Sequence, residues 1–491
     1  MCCSFSIVLA QSIKFKESIG GVTPDYGYGA KQTYDNGYIA VGSTASFSYG
    51  ETDVYVVRTD SNGFVLWPQR HFGTPFVDVG RSVEETKDSS LIITGFTNGN
   101  LANGYDVLLL RLDKWGDSLW WKTYGGTGWD FAYSVHQTFD RGFIIAGGTY
   151  SYGVGGEDFW LIKTDANGDT MWTKTYGGTK DDEARSVRQT SDSGYILVGT
   201  TKSFGDTTGD IYVVKTKANG DTLWTKKYGG SKEDDGTDIV TCKNGGYALC
   251  GRSYSFPVKG SKMYLIRIKS NGDTLYSNIA NYVYPKDTVY ESLEGIVELP
   301  NGYFSSIGVY FGQYSASGNG NGYMYVTDSV FNWKAGNTYG TIGGEGCYSL
   351  SVTKDKGYII CGFTDSTSLG FAEANLFLIK TDSVGVDPHS PFLLSTKNLS
   401  STLNFISAYP NPFNSVLNIT LNTNSSLNPI DFRISIVDIR GQSRIPSYRI
   451  ISASNQDIAL QINKNNLNPG IYFIQYYSGQ QMIGISKIAV E

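Results

Sequence analysis

Residues 172–224 read WTKTYGGTKDDEARSVRQTSDSGYILVGTTKSFGDTTGDIYVVKTKANGDTLW, and a frame of about this length recurs through most of the chain. The glycine ahead of the GYI-type run stands at Gly37, Gly142, Gly194, Gly246, Gly302 and Gly357, with Ser90 in the second slot, at spacings of 53, 52, 52, 52, 56 and 55. A fixed period of this size marks a solenoid or a propeller, in which each repeat buries its apolar faces against its neighbours. Each copy holds four strand-like runs between Gly, Asn and Asp turns; in the fourth copy they are residues 186–190, 194–200, 210–216 and 222–228. Four strands per repeat is the blade count of a propeller. The second and third runs, GYILVGT and DIYVVKT, are almost continuously apolar, as strands covered on both faces must be. Asn219-Gly220, between the third and fourth runs, predicts a type I′ hairpin turn.

The ends of the array make an independent argument. The seventh copy stops after its third strand, and the missing LWxKxY strand stands at the other end of the chain, where residues 15–19 and Gly20-Gly21 align with residues 172–176 and Gly177-Gly178. The N-terminal strand can therefore complete the last blade and remove both sheet edges. The expectation is an all-β chain: a seven-bladed β-propeller over residues 12–385, followed by a small β-sandwich.

Composition agrees. The chain has 491 residues, 59 of them glycine, with 14% aromatic and 18% charged residues. Glycine is well above its usual ~7% and charge below its usual ~25%, as in a turn-rich β protein. No apolar run approaches the ~18 residues of a membrane helix, so a soluble protein is expected. A net charge of −6 supplies no basic footprint for nucleic acid.

Three histidines (His71, His136, His389) leave little for acid-base chemistry at neutral pH or for metal binding. Cys242, Cys250, Cys347 and Cys361 follow no CxxC spacing, so no zinc site is indicated, and Cys250 and Cys361 share one repeat position as small buried apolar residues. A disulfide among these four stays open in an oxidising compartment. Residues 1–11, MCCSFSIVLAQ, have a short apolar stretch with an Ala10 cleavage point but no basic n-region, and read as a shortened signal peptide.

Residues 386–402 break the repeat with two prolines and Ser/Thr, and read as a linker. Residues 403–491 are Asn-rich, with alternating runs such as FRISIVDI and GIYFIQYY that predict the sandwich. This part resembles the type A sorting domain of the type IX secretion system of Bacteroidota and related bacteria. The resemblance is carried by YPNPFNSVLNI (409–419), VDIRGQ (437–442), LNPGIYFI (467–474) and SKIAVE (486–491) in this order, with Tyr409, Pro410, Asn411, Pro412, Gly441 and Gly470 as motif residues. It implies an Ig-like sandwich that the type IX machinery reads for passage across the outer membrane, after which the mature protein is retained at the surface or released. Residues 12–385 resemble secreted YGG-repeat, kelch-like propellers, which implies fold and location without an activity.

Two recurrent acids are candidates for a site. The acids opening the third strand, Asp53, Asp106, Asp158 and Asp210, have the pattern of Asx-turns, as do the DxNGD segments, where Lys217 and Lys269 replace the first carboxylate a calcium loop needs. The other acid lies six residues after each YGG tyrosine or its equivalent: Asp25, Asp78, Asp130, Asp182, Asp234 and Glu345, with Asp287 assigned to the sixth copy. Loops from the fourth strand to the next first strand emerge beside the central channel, so these acids are expected to ring it. The loops between second and third strands, on the same face, carry Phe47, Tyr49, Tyr152, Phe204 and Phe256. An acidic and aromatic rim could stack on sugars or hold a cation, and caps on the turns themselves would use the same carboxylates.

The expected protein is therefore exported, monomeric and non-enzymatic, binding a glycan or protein ligand without cofactor or metal. A secreted carbohydrate-active enzyme is the alternative. Unique acids confined to one or two blades would favour it, whereas a nearly uniform ring favours binding.

Overall fold

The computed structural model describes residues 14–67, 70–100, 104–205, 208–256, 260–280, 289–311, 320–339, 344–365, 374–383 and 385, and, toward the C-terminus, 403–409, 415–423, 432–438, 443–444, 448–453, 457–464, 467–468, 470–478 and 481–490. The chain divides into two units, Met1–Ser390 and Pro391–Glu491. Residues 1–11 and 386–402, expected to be a signal peptide and a linker, and Asp287, Pro410, Asn411, Pro412 and Gly441 lie outside the described residues.

The first unit is a propeller. Its sheets are antiparallel meanders of four strands, as in Asp182–Gln189, Tyr195–Thr201, Asp210–Thr216 and Thr222–Tyr228, called a to d here from the channel outward. Strands a pack side by side around the channel, each against the next, and the last, Glu345–Val352, packs against the first, Asp25–Gln32. Strand c of this sheet is buried at every position and strand b at all but one, whereas strand d is mostly exposed, which explains why b and c lack polar alternation. Cores such as Ile144, Ala146, Phe159, Val187 and Leu197 lie between successive sheets. Phe15–Ile19 pairs antiparallel with Asn375–Thr381, from Phe15 opposite Lys380 to Ile19 opposite Leu376, and supplies strand d of the sheet that ends the array. One irregularity joins two meanders: Gly260 and Ser261 pair in parallel with Val289 and Tyr290.

The turns differ from expectation in one respect. At Asn219-Gly220 only the glycine has positive φ (83°); Gly220 N donates to Lys217 O and Lys217 N to Asp221 O, with a register shift at Lys215/Thr216. This is a type I turn closed by a left-handed glycine and a bulge, a three-residue hairpin loop in place of the type I′ turn. The glycine ahead of strand b has another role. The positive φ falls one residue earlier, at Ser193 or Arg141, while a Cβ on Gly194 or Gly142 would strike the carbonyl of Thr216 or Thr164.

The four late cysteines are free thiols and buried. In the second unit, strands Leu403–Tyr409, Val416–Thr423, Asp457–Asn463 and Tyr448–Ala453 form one sheet, and Ser443–Arg444, Phe432–Asp438, Gly470–Ser478 and Gln481–Val490 another. Leu417, Ile419, Leu460, Ile436, Ile474 and Tyr476, drawn from both sheets, share one core.

Candidate functional site

Every strand a carries a β-bulge at one register position, between Gly27/Gly29, Gly80/Ser82, Ala132/Ser134, Ala184/Ser186, Gly236/Asp238, Leu293/Gly295 and Cys347/Ser349. A bulge leaves one residue unpaired and re-aims its side chain. The skipped residues are Tyr28, Arg81, Tyr133, Arg185, Thr237, Glu294 and Tyr348, and all seven line a single cavity of about 790 Å³. The bulge thus converts a repeat that is uniform in its core into a varied ring of three tyrosines, two arginines, a threonine and a glutamate.

Part of this ring is a continuous stack. The Tyr348 and Tyr28 rings lie 5.5 Å apart, the Arg81 guanidinium stands 4.0 Å from the Tyr28 ring centre, and Arg185 stands 4.4 Å from that of Tyr133. Cations over aromatic faces are held by the ring quadrupole. The rest of the wall comes from neighbouring loops and strands: Tyr150, Glu157, Asp181, Glu183, Lys202 and Glu233, with Asp235 and Arg252. Arg185 pairs with Glu183 at 2.7 Å, Arg252 with Asp235 at 2.5 Å and Glu233 at 3.0 Å, and Lys202 with Asp181 at 3.4 Å. Burial, and next the neighbouring Glu183 charge, push the Glu157 carboxyl up to about 8.

The bulge residues also line a smaller cavity, of about 120 Å³, together with Lys31, His136, Arg188 and Asp238 from strands a. His136 Nδ1 meets Glu84 Oε2 at 2.7 Å, Arg188 donates to His136 Nε2 at 2.8 Å, and its other terminal nitrogen reaches Asp238 at 2.8 Å. Arginine can only donate, so Nε2 accepts and Nδ1 carries the proton toward Glu84, the tautomer of a neutral ring. Burial, with Arg188 beside it, pushes the His136 pKa down and favours this neutral form.

The acids singled out in the sequence sit behind this surface. Asp25, Asp78, Asp130, Asp182, Asp234 and Glu345 are each fully buried at the start of strand a. Asp182 accepts from Gly178 N at 2.8 Å and Ser203 N at 3.3 Å; Asp25, Asp130 and Asp234 accept from Gly21, Gly126 and Gly230 N at 2.7–2.9 Å, and Asp78 from Thr74 N. Thr364 donates to Glu345 at 3.3 Å. The five aspartates cap the turns that precede them, and none of the six acids lines the cavity. In the sixth copy the bulge register puts Glu291, and not Asp287, at this position: it lies two residues before Leu293, as Asp25 lies two before Gly27.

The loop aromatics also face their own blades. Phe47 packs on Tyr55, Tyr152 on Trp160, Phe204 on Tyr212 and Phe256 on Tyr264, with ring centres 5.3–5.7 Å apart, and Tyr49 lies against His71 at 4.5 Å. Asp53 and Asp158 accept from the amides of Tyr49 and Val154, four residues earlier. Gly470 begins a strand of the C-terminal unit, and Tyr409 ends one. The cavity's bulge residues, three positions after each capping acid, escaped the sequence reading because their types follow no pattern; the constant acid three residues ahead was the available signal.

The repeated four-stranded sheets define the class of protein, a β-propeller followed by a second, C-terminal β unit. Residues 407–491 match the family model of the secretion system C-terminal sorting domain. That domain marks proteins secreted by the type IX system to the cell surface or extracellular space, which places this chain there. Over 114 residues, or 21% of its length, the chain is 28% identical to the regulatory protein FlaEY of Caulobacter vibrioides, of which it spans 12%. Among solved structures it is similar to PorZ, a surface component of the type IX system of Porphyromonas gingivalis, at 12% identity and a TM-score of 0.39, covering 93% of this chain and 58% of PorZ. It is also similar to the β-propeller domain of the trilobed protease from Pyrococcus furiosus, at 11% identity and a TM-score of 0.42, covering 76% of this chain and 99% of that one.

Proposed function

We propose that the chain is a monomeric, non-enzymatic binding protein whose seven-bladed propeller takes an extracellular glycan in the cavity ringed by the bulge residues. Its Ig-like C-terminal domain, residues 403–491, is the part that the type IX machinery handles. The observation that carries this reading is the convergence of Tyr28, Arg81, Tyr133, Arg185, Thr237, Glu294 and Tyr348 on one cavity of about 790 Å³. Flat tyrosine and guanidinium faces suit sugar rings, and the interspersed carboxylates and hydroxyls suit their hydroxyl groups. The capping acids support the site indirectly by holding the loops around it.

A glycan array probed with the full-length protein tests this, with Tyr28→Ala and Arg81→Ala as controls. Binding of defined oligosaccharides that either substitution weakens at least about tenfold, the size of a lost stacking or charged contact, is expected. Binding only to extracellular protein, or to nothing on the array, rejects it. One observation favours a second reading, a carbohydrate-active enzyme: Glu157 and Glu183 form an acid pair in one region of the ring. Release of reducing ends from a bound oligosaccharide would establish that reading.

A further inference from the structure

Blade three departs from its own repeat at two positions that meet in space. Strand b carries a glycine at Gly148, where the same register holds Ser43, Phe96, Thr200, Arg252, Val309 and Phe363. The residue before strand c is Glu157, where the other copies have Thr52, Tyr105, Gly209, Ser261, Gly320 and Ala374. The two changes are complementary, because a Cβ on Gly148 would fall on the Glu157 carboxyl. A small residue has been matched to a large acid in this copy alone, at the wall of the cavity.

Glu157 is only 7% exposed, and its Oε1 has no hydrogen-bond partner among the described residues. Tyr150 bonds its carboxyl, and Asp181, Glu183 and Arg185 are the charged groups that face it from the adjoining loop and from strand a of the next blade. Arg185 is engaged by Glu183, Lys202 by Asp181, and Arg252 by Glu233 and Asp235, while Arg81 lies over the Tyr28 ring. The wall carries six carboxylates against four cationic side chains, which leaves two acids outside the ion pairs, Glu294 on strand a and Glu157 beside Tyr150.

We propose that the cavity is selective for amino sugars, seating the ligand's free ammonium group against Glu157 between Tyr150 and Glu183, with the sugar rings on the Tyr28, Arg81 and Tyr133 stack. The inference rests on the glycan-binding reading and narrows its ligand class. Three features argue for it: an acid whose one cationic neighbour, Arg185, is already paired with Glu183, aromatic faces that attract ammonium, and a polyol-compatible wall. Binding is linked to protons. The ammonium displaces the Glu157 carboxyl proton to solvent and leaves an ion pair, so one proton is released per ligand bound.

The test uses full-length protein and isothermal titration with a β-1,4-linked glucosamine tetrasaccharide, its fully N-acetylated counterpart and a lysine tetrapeptide. At pH 7 the free-amine sugar is expected to bind at least about tenfold more tightly than the acetylated one, as one desolvated ion pair allows. Heats measured at pH 6 in phosphate and Bis-Tris, where the sugar amines are still mostly ammonium, should differ by close to one proton, and affinity should rise from pH 5.5 toward the pKa of the sugar amine and flatten above it. Glu157→Gln should bring the two sugars to within about twofold of each other, and the wild-type pH profile tests the ammonium seat even if that variant does not fold. Equal affinity for the two sugars, or the absence of proton release, overturns the ammonium seat while leaving glycan binding intact. Tighter binding of the lysine peptide than of the free-amine sugar overturns the amino-sugar assignment. Failure of both sugars overturns this inference, while the glycan array decides separately whether the glycan-binding function stands.

Discussion

The Tyr176 hydroxyl donates to the Gly220 carbonyl at 2.6 Å, tying the outer strand of one blade to the turn between the third and fourth strands of the next. The same bond joins Tyr124 to Gly168, Tyr228 to Gly272 and Tyr339 to Gly385, at 2.5 Å in each case. Beside it, Lys174 pairs with Asp221 at 3.0 Å and Lys226 with Asp273 at 3.3 Å. The YGG tyrosine and the NGD turn are thus two halves of a clasp between neighbouring blades, which explains why both recur with the repeat. Tyr176→Phe removes the donor and leaves the Gly220 carbonyl without it, so a loss of about 1–2 kcal/mol is expected. Lys174→Ala, whose partner is exposed, should cost about 0.5 kcal/mol or less. Chemical denaturation of the two variants checks the order; equal losses would show that the hydroxyl bond is not the stronger half.

The antiparallel register of Phe15–Ile19 on Asn375–Thr381 closes the ring with a strand from the opposite end of the chain. Phe15 and Ile19 are buried in a core with Tyr38, Tyr55 and Leu378. Deleting residues 12–20 exposes both that core and the edge of strand Asn375–Thr381, a template for pairing with other chains. The deletion should lower the melting temperature by several degrees and shift elution toward oligomers. An unchanged melt with monomeric elution would mean that the strand contributes nothing to closure.

Much of this architecture was legible because a propeller repeats its chemistry as well as its shape. Apolar b and c strands, a glycine under a carbonyl, and a YGG turn capped by an acid recur with one period, and the eye finds them together. The site was hidden for the same reason. Tyr28, Arg81, Tyr133, Arg185, Thr237, Glu294 and Tyr348 share a register position but no one residue type, so averaging over copies erases them. The sixth copy was misaligned at Asp287 because its spacing is longer, and only the bulge at Leu293/Gly295 fixes Glu291 as the counterpart. The Lys215–Asp192 pair, at 2.9 Å, was also missed although its signal is present: the penultimate lysine of strand c and the aspartate two residues before the glycine ahead of strand b recur together, as Lys163–Asp140 and Lys380–Asp355.

That pair gives a prediction of its own. Burial alone would raise the Asp192 pKa, but Thr190, Lys215 and the Gly194 amide more than offset it and hold the carboxyl near 2. A carboxyl depressed below its unfolded value stabilises the fold above that value, and the contribution is lost as pH falls from about 4 through about 2. Lys215 is only 3% exposed, so Asp192→Asn leaves a buried ammonium short of its counter-charge. It should lower stability at pH 7 by about 1–2 kcal/mol, since Asp192 itself is half exposed, and by much less at pH 2.5. A pH-independent loss measured by denaturant titration would exclude the charge as its source.

Export depends on the second unit. Residues 407–491 match the sorting family, and their core is built from their own two sheets. Removing residues 403–491 should leave the protein in the periplasm of a type IX-competent host, with surface or medium levels reduced at least about tenfold, the scale of a lost address signal. Equal levels of the truncated and full-length proteins outside the cell, read by immunoblot of fractions, would contradict this.

The capping role of the buried acids separates two behaviours at Asp182. Its two oxygens serve different donors, Gly178 N on Oδ2 and Ser203 N on Oδ1. Asn can satisfy only one of them and turns an NH₂ toward the other, so Asp182→Asn should cost about 1 kcal/mol, whereas Asp182→Ala strands both amides and should cost about 2–3 kcal/mol. Calcium should leave the melting temperature of all three proteins unchanged, because both Asp182 oxygens are already engaged by amides and a cation needs about six to eight close oxygens. A calcium-dependent rise in the wild type that Asp182→Asn abolishes would show instead that the acids hold an ion in common. The same melts carry a second readout: since Asp182 N also donates to Glu157 O at 2.6 Å, Asp182→Ala should weaken ligand binding through displacement of Glu157, while Asp182→Asn, which keeps the turn, should not.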